Sequence, residues 1–280
     1  MKRIILPSDF SENADNAIRY AIQLFKEEEC AFYLLHTYTP AIYQAEYILP
    51  SPGQIGLGDV YQVSSMERLE KLKEQMENDF KNPKHHFIPH SANNSLVSEI
   101  METVEREKID LVIMGTQGAT EAKEILFGTN TVDLIRKANC PVIAVPSNYT
   151  YEPPKEILFP TDYEIAYGGG RLNVLLHLAK IYGSQVEVIY ISPGYDLSEV
   201  QSKNKRELGS VLEEIPHLFH ELPDQEVIRG IADFRSKKRM DLLVMVQNRH
   251  TFLERLFIDP VIEKAAFHLD IPFLVFPVHS

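Results

Sequence analysis

The chain has 280 residues, with 28 Lys and Arg against 40 Asp and Glu, so its formal net charge at pH 7 is −12. At about 150 residues per domain, the length predicts two domains. The charge argues against a nucleic-acid-binding protein and against one that docks on an anionic membrane surface, because both need a basic face. No apolar run approaches the roughly 18 residues of a membrane span, and the N-terminal apolar run is too short for a signal peptide. We therefore expect a cytoplasmic protein in which Cys30 and Cys140 are reduced.

The sequence repeats itself. Three pairs of segments are similar: 110–114 with 241–245 and 140–146 with 271–277, both 131 residues apart, and 5–10 with 158–163, which are 153 residues apart. The first half therefore carries about 22 extra residues, which we place at 38–61, a stretch with prolines, glycines and tyrosines but no Lys or Arg. The polar linker 147–154 divides the chain into predicted domains 1–147 and 154–280.

Short apolar runs alternate with longer amphipathic ones in both halves. Runs that are apolar throughout are typical of parallel strands covered on both faces. The predicted strands, several of which are apolar throughout, are Arg3–Leu6, Ala31–His36, Lys84–His90, Leu111–Met114 and Val142–Val145, and then 156–159, 186–191, 217–222, 242–246 and 273–276. Helical spacing connects them, for example in 14–25, 66–81, 96–104 and 132–138. The order predicts an α/β fold of two doubly wound domains, each with a five-stranded, mainly parallel sheet and helices on both faces.

A ligand crevice in such sheets lies beyond the carboxyl ends of the strands. In the first half these ends are followed by Pro7-Ser8-Asp9, by Gly115-Thr116-Gln117-Gly118 and by Gly128-Thr129-Asn130, which opens the last helix. Glycine lets the backbone approach a ligand closely, and the N–H groups at a helix N-terminus attract phosphate. The alternative is that the glycines only shape a turn and Thr129 only caps a helix. The spacing alone leaves both interpretations open.

The pattern Gly115-x2-Gly118-x9-Gly128-Thr129 resembles that of the universal stress protein family. Segment 110–114 before it, segment 139–142 after it and the early segment 5–9 extend the resemblance, and both halves take part, as in a tandem universal stress protein. The resemblance implies a Rossmann-like fold of the adenine nucleotide alpha hydrolase type. It also implies that the chain belongs to one of the two subgroups of the family. One subgroup binds ATP through this glycine motif, and the other does not.

The resemblance further implies which residues hold ATP, alone or with Mg²⁺. The glycines and Thr129 would hold the ribose and phosphates, Asp9 would contact the nucleoside or its metal, and the backbone around His36–Thr37 would read adenine. The predicted nucleotide-binding residues are Pro7, Ser8, Asp9, His36, Thr37, Met114, Gly115, Thr116, Gly118, Gly128, Thr129 and Asn130.

The second half departs from this pattern. Val246 stands where Gly115 stands, Arg249 replaces Gly118, and Asp259-Pro260 replaces Gly128-Thr129. A carboxylate at the helix N-terminus would occupy the positive end of the helix itself and repel a phosphate. We therefore predict one nucleotide site, in the first half, and a degenerate second half. Asp162, the counterpart of Asp9, is retained there, so a residual small-molecule pocket in the second half is an alternative.

The leading hypothesis is a cytoplasmic stress-response protein that binds ATP in its N-terminal domain. No residue matches a general base aligned on the γ-phosphate, so slow hydrolysis is the most that we expect. The alternatives are an interaction scaffold without nucleotide, and a weak Mg²⁺-dependent ATP hydrolase or phosphotransferase that uses Asp9. The insertion 38–61 is hypothesised to be a lid or a partner-binding loop, with a surface excursion as the alternative.

The resemblance also implies an assembly. The two halves are expected to pair through their last strands, Val142–Val145 and Phe273–Phe276, which would protect both sheet edges. A homodimer is a further expectation, and the protein partner is unknown. The histidines of the first half, His36, His85, His86 and His90, are predicted to be packed or exposed side chains. A metal site is the alternative, although neighbouring strand residues such as His85 and His86 point to opposite faces.

Overall fold

The computed structural model describes residues 1–38, 57–116, 128–192, 194, 196–222, 227–247 and 270–277. These residues form two compact units, Met1–Cys140 and Pro141–Ser280. Gly118, Arg249 and Asp259-Pro260 lie outside the described residues, as does segment 39–56 of the predicted insertion. Among the described helices, none is long and apolar enough to cross a membrane.

The first unit contains a parallel sheet in the order β3-β2-β1-β4. Its strands are β1 (Lys2–Pro7), β2 (Cys30–Thr37), β3 (His85–Ala92) and β4 (Leu111–Gly115), and its helices are α1 (Glu12–Leu24), α2 (Leu57–Phe80), α3 (Leu96–Glu107) and α4 (Thr129–Lys137). The central strand β1 is aligned with Pro7 beside Leu35 of β2 and with Ile5 beside Val112 of β4. The carboxyl ends of β2, β1 and β4 therefore lie side by side, at the position where the chain order of the strands reverses.

Apolar side chains explain why these elements form where the sequence predicts them. Ile4, Ile5 and Leu6 of β1 are fully buried, as expected of a strand with helices on both faces. Helix α1 begins after Ser11, whose side chain accepts a hydrogen bond from the Ala14 N–H, and it buries one face against the sheet. The five strands predicted for the first half are all present, with bounds that differ from the predicted ones by two residues or fewer.

The second unit contains a sheet in the order β5-β10-β9-β6-β7-β8. Its strands are β5 (Val142–Val145), β6 (Glu156–Pro160), β7 (Gln185–Ile191), β8 (His217–Leu222), β9 (Leu242–Val246) and β10 (Phe273–Phe276), and its described helices are α5 (Asn173–Tyr182), α6 (Glu199–Leu212) and α7 (Val227–Lys237). Strand β5 is antiparallel to β10, whereas the other described pairs are parallel. This is the expected pairing of the two last strands. It places β5 in the second compact unit, although the sequence repeat assigns it to the first half.

A buried carboxylate connects α3 to β3 in the first unit. Glu99 is 7% exposed, and its two oxygens contact the His90 Nε2 at 2.7 Å and the Asn94 amide at 3.0 Å. His85 instead lies against the Phe25 carbonyl at 3.0 Å, and His86 is exposed. The predicted split of His85 and His86 to opposite faces is confirmed, since His85 is buried and His86 is exposed.

The Glu99 contacts predict how stability responds to acid. Burial works to raise the pKa of the Glu99 carboxyl, but the hydrogen bonds from His90 and Asn94 outweigh it, so the pKa is lowered from its ordinary 4.5. The contribution of Glu99 is therefore complete above pH 4.5 and is lost as the pH falls through the lowered pKa. We expect denaturant unfolding to show a smaller loss of stability between pH 6 and pH 3 in Glu99→Gln than in the unmodified chain. An identical loss in both would contradict this assignment.

Candidate functional site

The loop that follows β1 has a tightly fixed backbone. The Ser8 N–H donates to the Leu35 carbonyl at 2.8 Å, and the Ser8 hydroxyl accepts from the Phe10 N–H at 3.0 Å. Phe10 has a φ of 64°, in the left-handed region that non-glycine residues seldom adopt. One Asp9 oxygen accepts from the Ser11 N–H at 3.0 Å. Strained backbone of this kind is concentrated at binding sites, and here it holds the exposed Asp9 at the edge of the sheet.

The first turn of α4 is attached to the end of β4. The Gly128 N–H donates to the Thr116 carbonyl at 2.6 Å. The buried Thr131 hydroxyl lies 3.1 Å from the Gly115 carbonyl and 3.3 Å from the Thr116 carbonyl. These contacts place the α4 N-terminus beside the carboxyl end of β4, where the crevice is expected.

Gly115 has a packing role that the sequence does not reveal. A Cβ placed on it would lie 2.6 Å from the Asn13 amide nitrogen and 2.7 Å from its Cγ. Asn13 belongs to the first turn of α1 and is buried. The missing side chain therefore lets α1 approach β4, rather than only leaving room for a ligand. The first turn of α1, the end of β4 and the first turn of α4 converge at this point.

Helix α4 begins differently from its neighbours. Its N-cap is Gly128, which forms no side-chain cap, and its first turn carries no acidic residue. Thr129 is thus the first helical residue and not the cap. Serine side chains cap α1, α3 and α6, and an acidic residue lies in the first turn of each. Because the first N–H groups of a helix have no partner within it, those of Thr129 and Asn130 can donate to an anion, whereas the Thr131 N–H donates to the Gly128 carbonyl at 3.0 Å.

Exposure divides the predicted site residues into two groups. One group is buried and forms the framework beneath the crevice: Pro7, Ser8, Met114, Gly115 and Thr116. The other is at least partly exposed at its rim: Asp9, His36, Thr37, Gly128, Thr129 and Asn130. The structure brings the two groups together at the carboxyl ends of β1, β2 and β4. Gly118 lies outside the described residues.

Three residues near the site were not predicted from the sequence. Asn13 packs against Gly115, Phe10 lies with its ring centroid 4.6 Å from that of His36, and the Arg68 guanidinium carbon lies 3.8 Å from the Phe10 ring centroid. Such a guanidinium is attracted to the face of the ring. Phe10 is the last residue of the matched segment 5–10, in which Tyr163 is its counterpart, but the match alone did not indicate a role at the site.

The second unit repeats the β1–α1 loop geometry after β6. The Thr161 N–H donates to the Ile189 carbonyl at 2.9 Å, the Thr161 hydroxyl accepts from the Tyr163 N–H at 3.0 Å, and Tyr163 has a φ of 57°. The duplication inferred from the sequence therefore extends to the strained backbone of this loop. Val246 is the last residue of β9 and is buried. Its counterpart in the first unit is Gly115, the last residue of β4.

The side chains around the repeated loop are different. Burial raises the pKa of the Asp162 carboxyl, whereas Asp9 is exposed. Tyr163 is fully buried, and Tyr167 is nearly so, with its hydroxyl against the Thr161 hydroxyl. Helix α5 begins only at Asn173, so Tyr167 precedes the helix although its counterpart in the repeat, Ala14, lies in the first turn of α1. The second unit thus keeps the loop but fills its surroundings with its own side chains.

The two units define a doubly wound α/β protein with a Rossmann-like fold and a crevice at the switch point of its first sheet. The chain belongs to the universal stress protein family, since the model of that family, described as "Universal stress protein family", matches residues 1–146.

Known proteins agree with this assignment. The chain is similar to universal stress protein MJ0577 of Methanocaldococcus jannaschii, at 32% identity over 51% of this chain and 94% of that protein. It is also similar to universal stress protein MJ0531 of the same organism, at 30% identity over 51% of this chain and 81% of that one. A crystal structure of a universal stress protein from Archaeoglobus fulgidus covers 98% of each chain with a TM-score of 0.65 and 17% identity, which shows a shared two-domain fold.

Proposed function

We propose that this universal stress protein binds an adenine nucleotide, with ATP as the leading candidate, in the crevice of its first unit. The observation that carries the proposal is the uncapped N-terminus of α4, which is attached to β4 beside the exposed Asp9. Phosphate oxygens would accept hydrogen bonds from the N–H groups of Thr129 and Asn130. The ATP-binding subgroup of the family, which the glycine motif resembles, supports the same assignment.

The chemistry of the crevice also fits Mg²⁺ as a companion of the nucleotide. Mg²⁺ in such sites is bound by one or two carboxylates together with substrate phosphates. Asp9 is the exposed carboxylate at the crevice, and the described residues contain no group of three or more acidic, histidine or cysteine side chains that could hold a metal without phosphate. The nucleotide would therefore bring the ion, and Asp9 would add one ligand.

The output of binding is proposed to be a regulatory state and not rapid turnover. Among the described residues, the side chains at the rim are one carboxylate, one histidine, two threonines and an asparagine, and one Asp9 oxygen already accepts a hydrogen bond from the Ser11 N–H. We propose a cytoplasmic stress-response role, as the sequence predicts. An ATP hydrolase that uses Asp9 remains the second candidate; phosphate release that is lost in Asp9→Asn would support it.

The substitution Asn130→Asp separates ligand binding from folding. A carboxylate in the first turn of α4 interacts favourably with the helix N-terminus and is expected to stabilise the unit by about 0.5 kcal/mol. The same charge repels phosphate, so ATP affinity is expected to fall about tenfold, which corresponds to about 1.4 kcal/mol. Fluorescence competition with labelled ATP and denaturant unfolding measure the two effects.

The matched control is Asn130→Gln, which preserves the neutral amide and is expected to bind ATP as the unmodified chain does. Heating and deproteinising the purified chain, followed by chromatography of the supernatant, reveals any nucleotide that was already bound. The proposal is wrong if no adenine nucleotide is released and none binds, and the site is misplaced if Asn130→Asp binds ATP with unchanged affinity.

A further inference from the structure

Strand β8 is the last strand of the sheet in the second unit, and among the described residues its neighbour is β7 alone. Two N–H groups, one at the start of β7 and one just after its end, donate to the Pro216 and Leu222 carbonyls at 2.9 Å. The bonds of a parallel pair are evenly spaced, so the even-numbered residues of β8 direct their backbone groups towards β7. The residues whose backbone N–H and C=O groups point outwards are therefore His217, Phe219 and Glu221.

The outer edge of β8 is apolar and has no feature that prevents pairing with another strand. Leu218 is 54% exposed and Phe219 is 36% exposed. Edge strands are usually protected by lysine, by proline or by an inward-pointing charge. The sequence of β8, His-Leu-Phe-His-Glu-Leu, contains neither lysine nor proline. This edge can therefore accept a further strand.

The corresponding edge of the first unit is protected at the equivalent position. The register of β1, β2 and β3 places Pro89 where the register of β6, β7 and β8 places Phe219. The Cys30 N–H donates to the Lys84 carbonyl at 2.9 Å, so the odd-numbered residues of β3 also point their backbone groups outwards. Proline has no N–H to offer at this edge. Where the first unit has this proline, the second unit exposes a phenylalanine.

The outward-pointing residues of β8 are complementary to themselves. When a twofold axis passes beside Phe219, two copies of β8 run antiparallel and the two Phe219 residues are opposite each other. His217 of each copy is then opposite Glu221 of the other. Each of these three pairs can exchange two backbone hydrogen bonds. An axis beside Glu221 would instead place two carboxylates opposite each other, which is unfavourable.

We propose that the outer edge of β8 is the interface through which two copies of this chain form a dimer, paired antiparallel and centred on Phe219. The contact uses the same patch on both copies and closes on itself, so it produces a dimer and not a fibre. It gives a location to the homodimer that the sequence predicts. The interface does not include the crevice of the first unit, so the proposal holds or fails independently of nucleotide binding.

Disulfide cross-linking tests the register directly. In a hydrogen-bonded antiparallel pair the Cα atoms are about 5.5 Å apart, which a disulfide can span, so Phe219→Cys is expected to form covalent dimers under mild oxidation with copper phenanthroline. Leu218→Cys is the matched control. It is more exposed, but the partner's His220 would lie opposite it, and the two Leu218 positions would be diagonal neighbours about 7–8 Å apart.

Non-reducing electrophoresis compares the yields. The native Cys30 and Cys140 are buried, and the unmodified chain gives their background. We expect Phe219→Cys to give a several-fold higher yield of dimer than Leu218→Cys at equal concentration. Equal yields from the two variants, or no dimer from either, would overturn the proposed pairing.

Sedimentation equilibrium over a dilution series tests the association without a cross-link. The unmodified chain is expected to show a reversible equilibrium between monomer and dimer. Phe219→Pro reproduces the proline of β3 and removes both hydrogen bonds of the central pair, so dimerisation is expected to weaken at least about tenfold. Because the Phe219 N–H points away from β7, the fold is expected to be retained, and circular dichroism checks this.

A second variant covers the case in which proline disrupts β8 itself. Phe219→Lys keeps the backbone N–H and brings two positive charges together at the twofold axis, so it is also expected to weaken the dimer. Ile181→Ser removes an exposed apolar side chain from α5 and is the matched control, with dimerisation expected to be unchanged. A chain that stays monomeric at every concentration, or a dimer that Phe219→Lys leaves unchanged, overturns the proposal.

Discussion

Replacing Gly115 by alanine is expected to destabilise the first unit by about 2 kcal/mol, the usual cost of forcing extra volume into a packed site. The new Cβ would lie 2.6–2.9 Å from three atoms of the buried Asn13 amide, so α1 or the Asn13 side chain must move. Because α1 follows the Asp9 loop directly, ATP affinity is expected to fall together with stability. Urea unfolding monitored by circular dichroism, and nucleotide competition, measure the two losses.

Two further variants show whether the overlap with Asn13 is the cause. The double variant Asn13→Ala/Gly115→Ala removes all three contacting atoms, so its destabilisation is expected to be smaller than the sum of the two single changes. Gly209→Ala is the matched glycine control. Gly209 lies within α6, and a Cβ on it would lie at an ordinary 3.9 Å from the Phe219 ring of β8. Alanine is therefore expected to stabilise α6 by about 1 kcal/mol. Strictly additive Asn13 and Gly115 effects would contradict the packing role.

Replacing Lys238 by methionine is expected to destabilise the second unit by about 2 kcal/mol. Glu187 of β7 is 2% exposed, and its carboxylate contacts the Lys238 ammonium at 2.5 Å and the His220 imidazole. Lys238 also contacts Glu156 at 2.6 Å. Removing one partner of a buried charge usually costs more than this, but the Lys238 side chain is 38% exposed and His220 remains in contact.

The matched control for Lys238 is Lys180→Met, which breaks an ion pair with the exposed Glu214 and is expected to leave unfolding unchanged within error. The pH dependence adds a second check. Burial works to raise the pKa of the Glu187 carboxyl, and Lys238 and His220 outweigh it, so the pKa is lowered from 4.5. The contribution of Glu187 is therefore lost as the pH falls below 4.5. Equal effects of Lys238→Met and Lys180→Met would show that the Glu187 network does not stabilise the unit.

The strands and the duplication could be predicted because they depend on patterns that the sequence displays directly. Short unbroken apolar runs that contain β-branched residues and end at a glycine, such as Leu111–Met114, are typical of a strand covered on both faces. The strained loop after β1 was located from the similarity of Pro7-Ser8-Asp9 to Pro160-Thr161-Asp162. Its left-handed residues, Phe10 and Tyr163, were not predicted, because φ is set by the hydrogen bonds of the folded loop.

The roles of individual site residues were harder to predict, because they depend on contacts between elements that are distant in sequence. Gly115 was interpreted as a place for close ligand approach, which stays a prediction; that its lack of a side chain also makes room for Asn13 could not be predicted. Thr129 was considered a possible cap, whereas the cap is Gly128, which has no side chain to accept a hydrogen bond from the first turn of α4. The placement of β5 in the second unit likewise depends on its pairing with β10 and not on its own residues.

We propose that the first unit binds an adenine nucleotide and that the second does not. Isothermal titration of nucleotide-stripped chain with ATP and Mg²⁺ tests this most directly, because it reports the number of sites as well as the heat. We predict a stoichiometry of about one ATP per chain and a weaker association in Asn130→Asp. An absence of heat with any adenine nucleotide, or two equivalent sites per chain, would contradict the account.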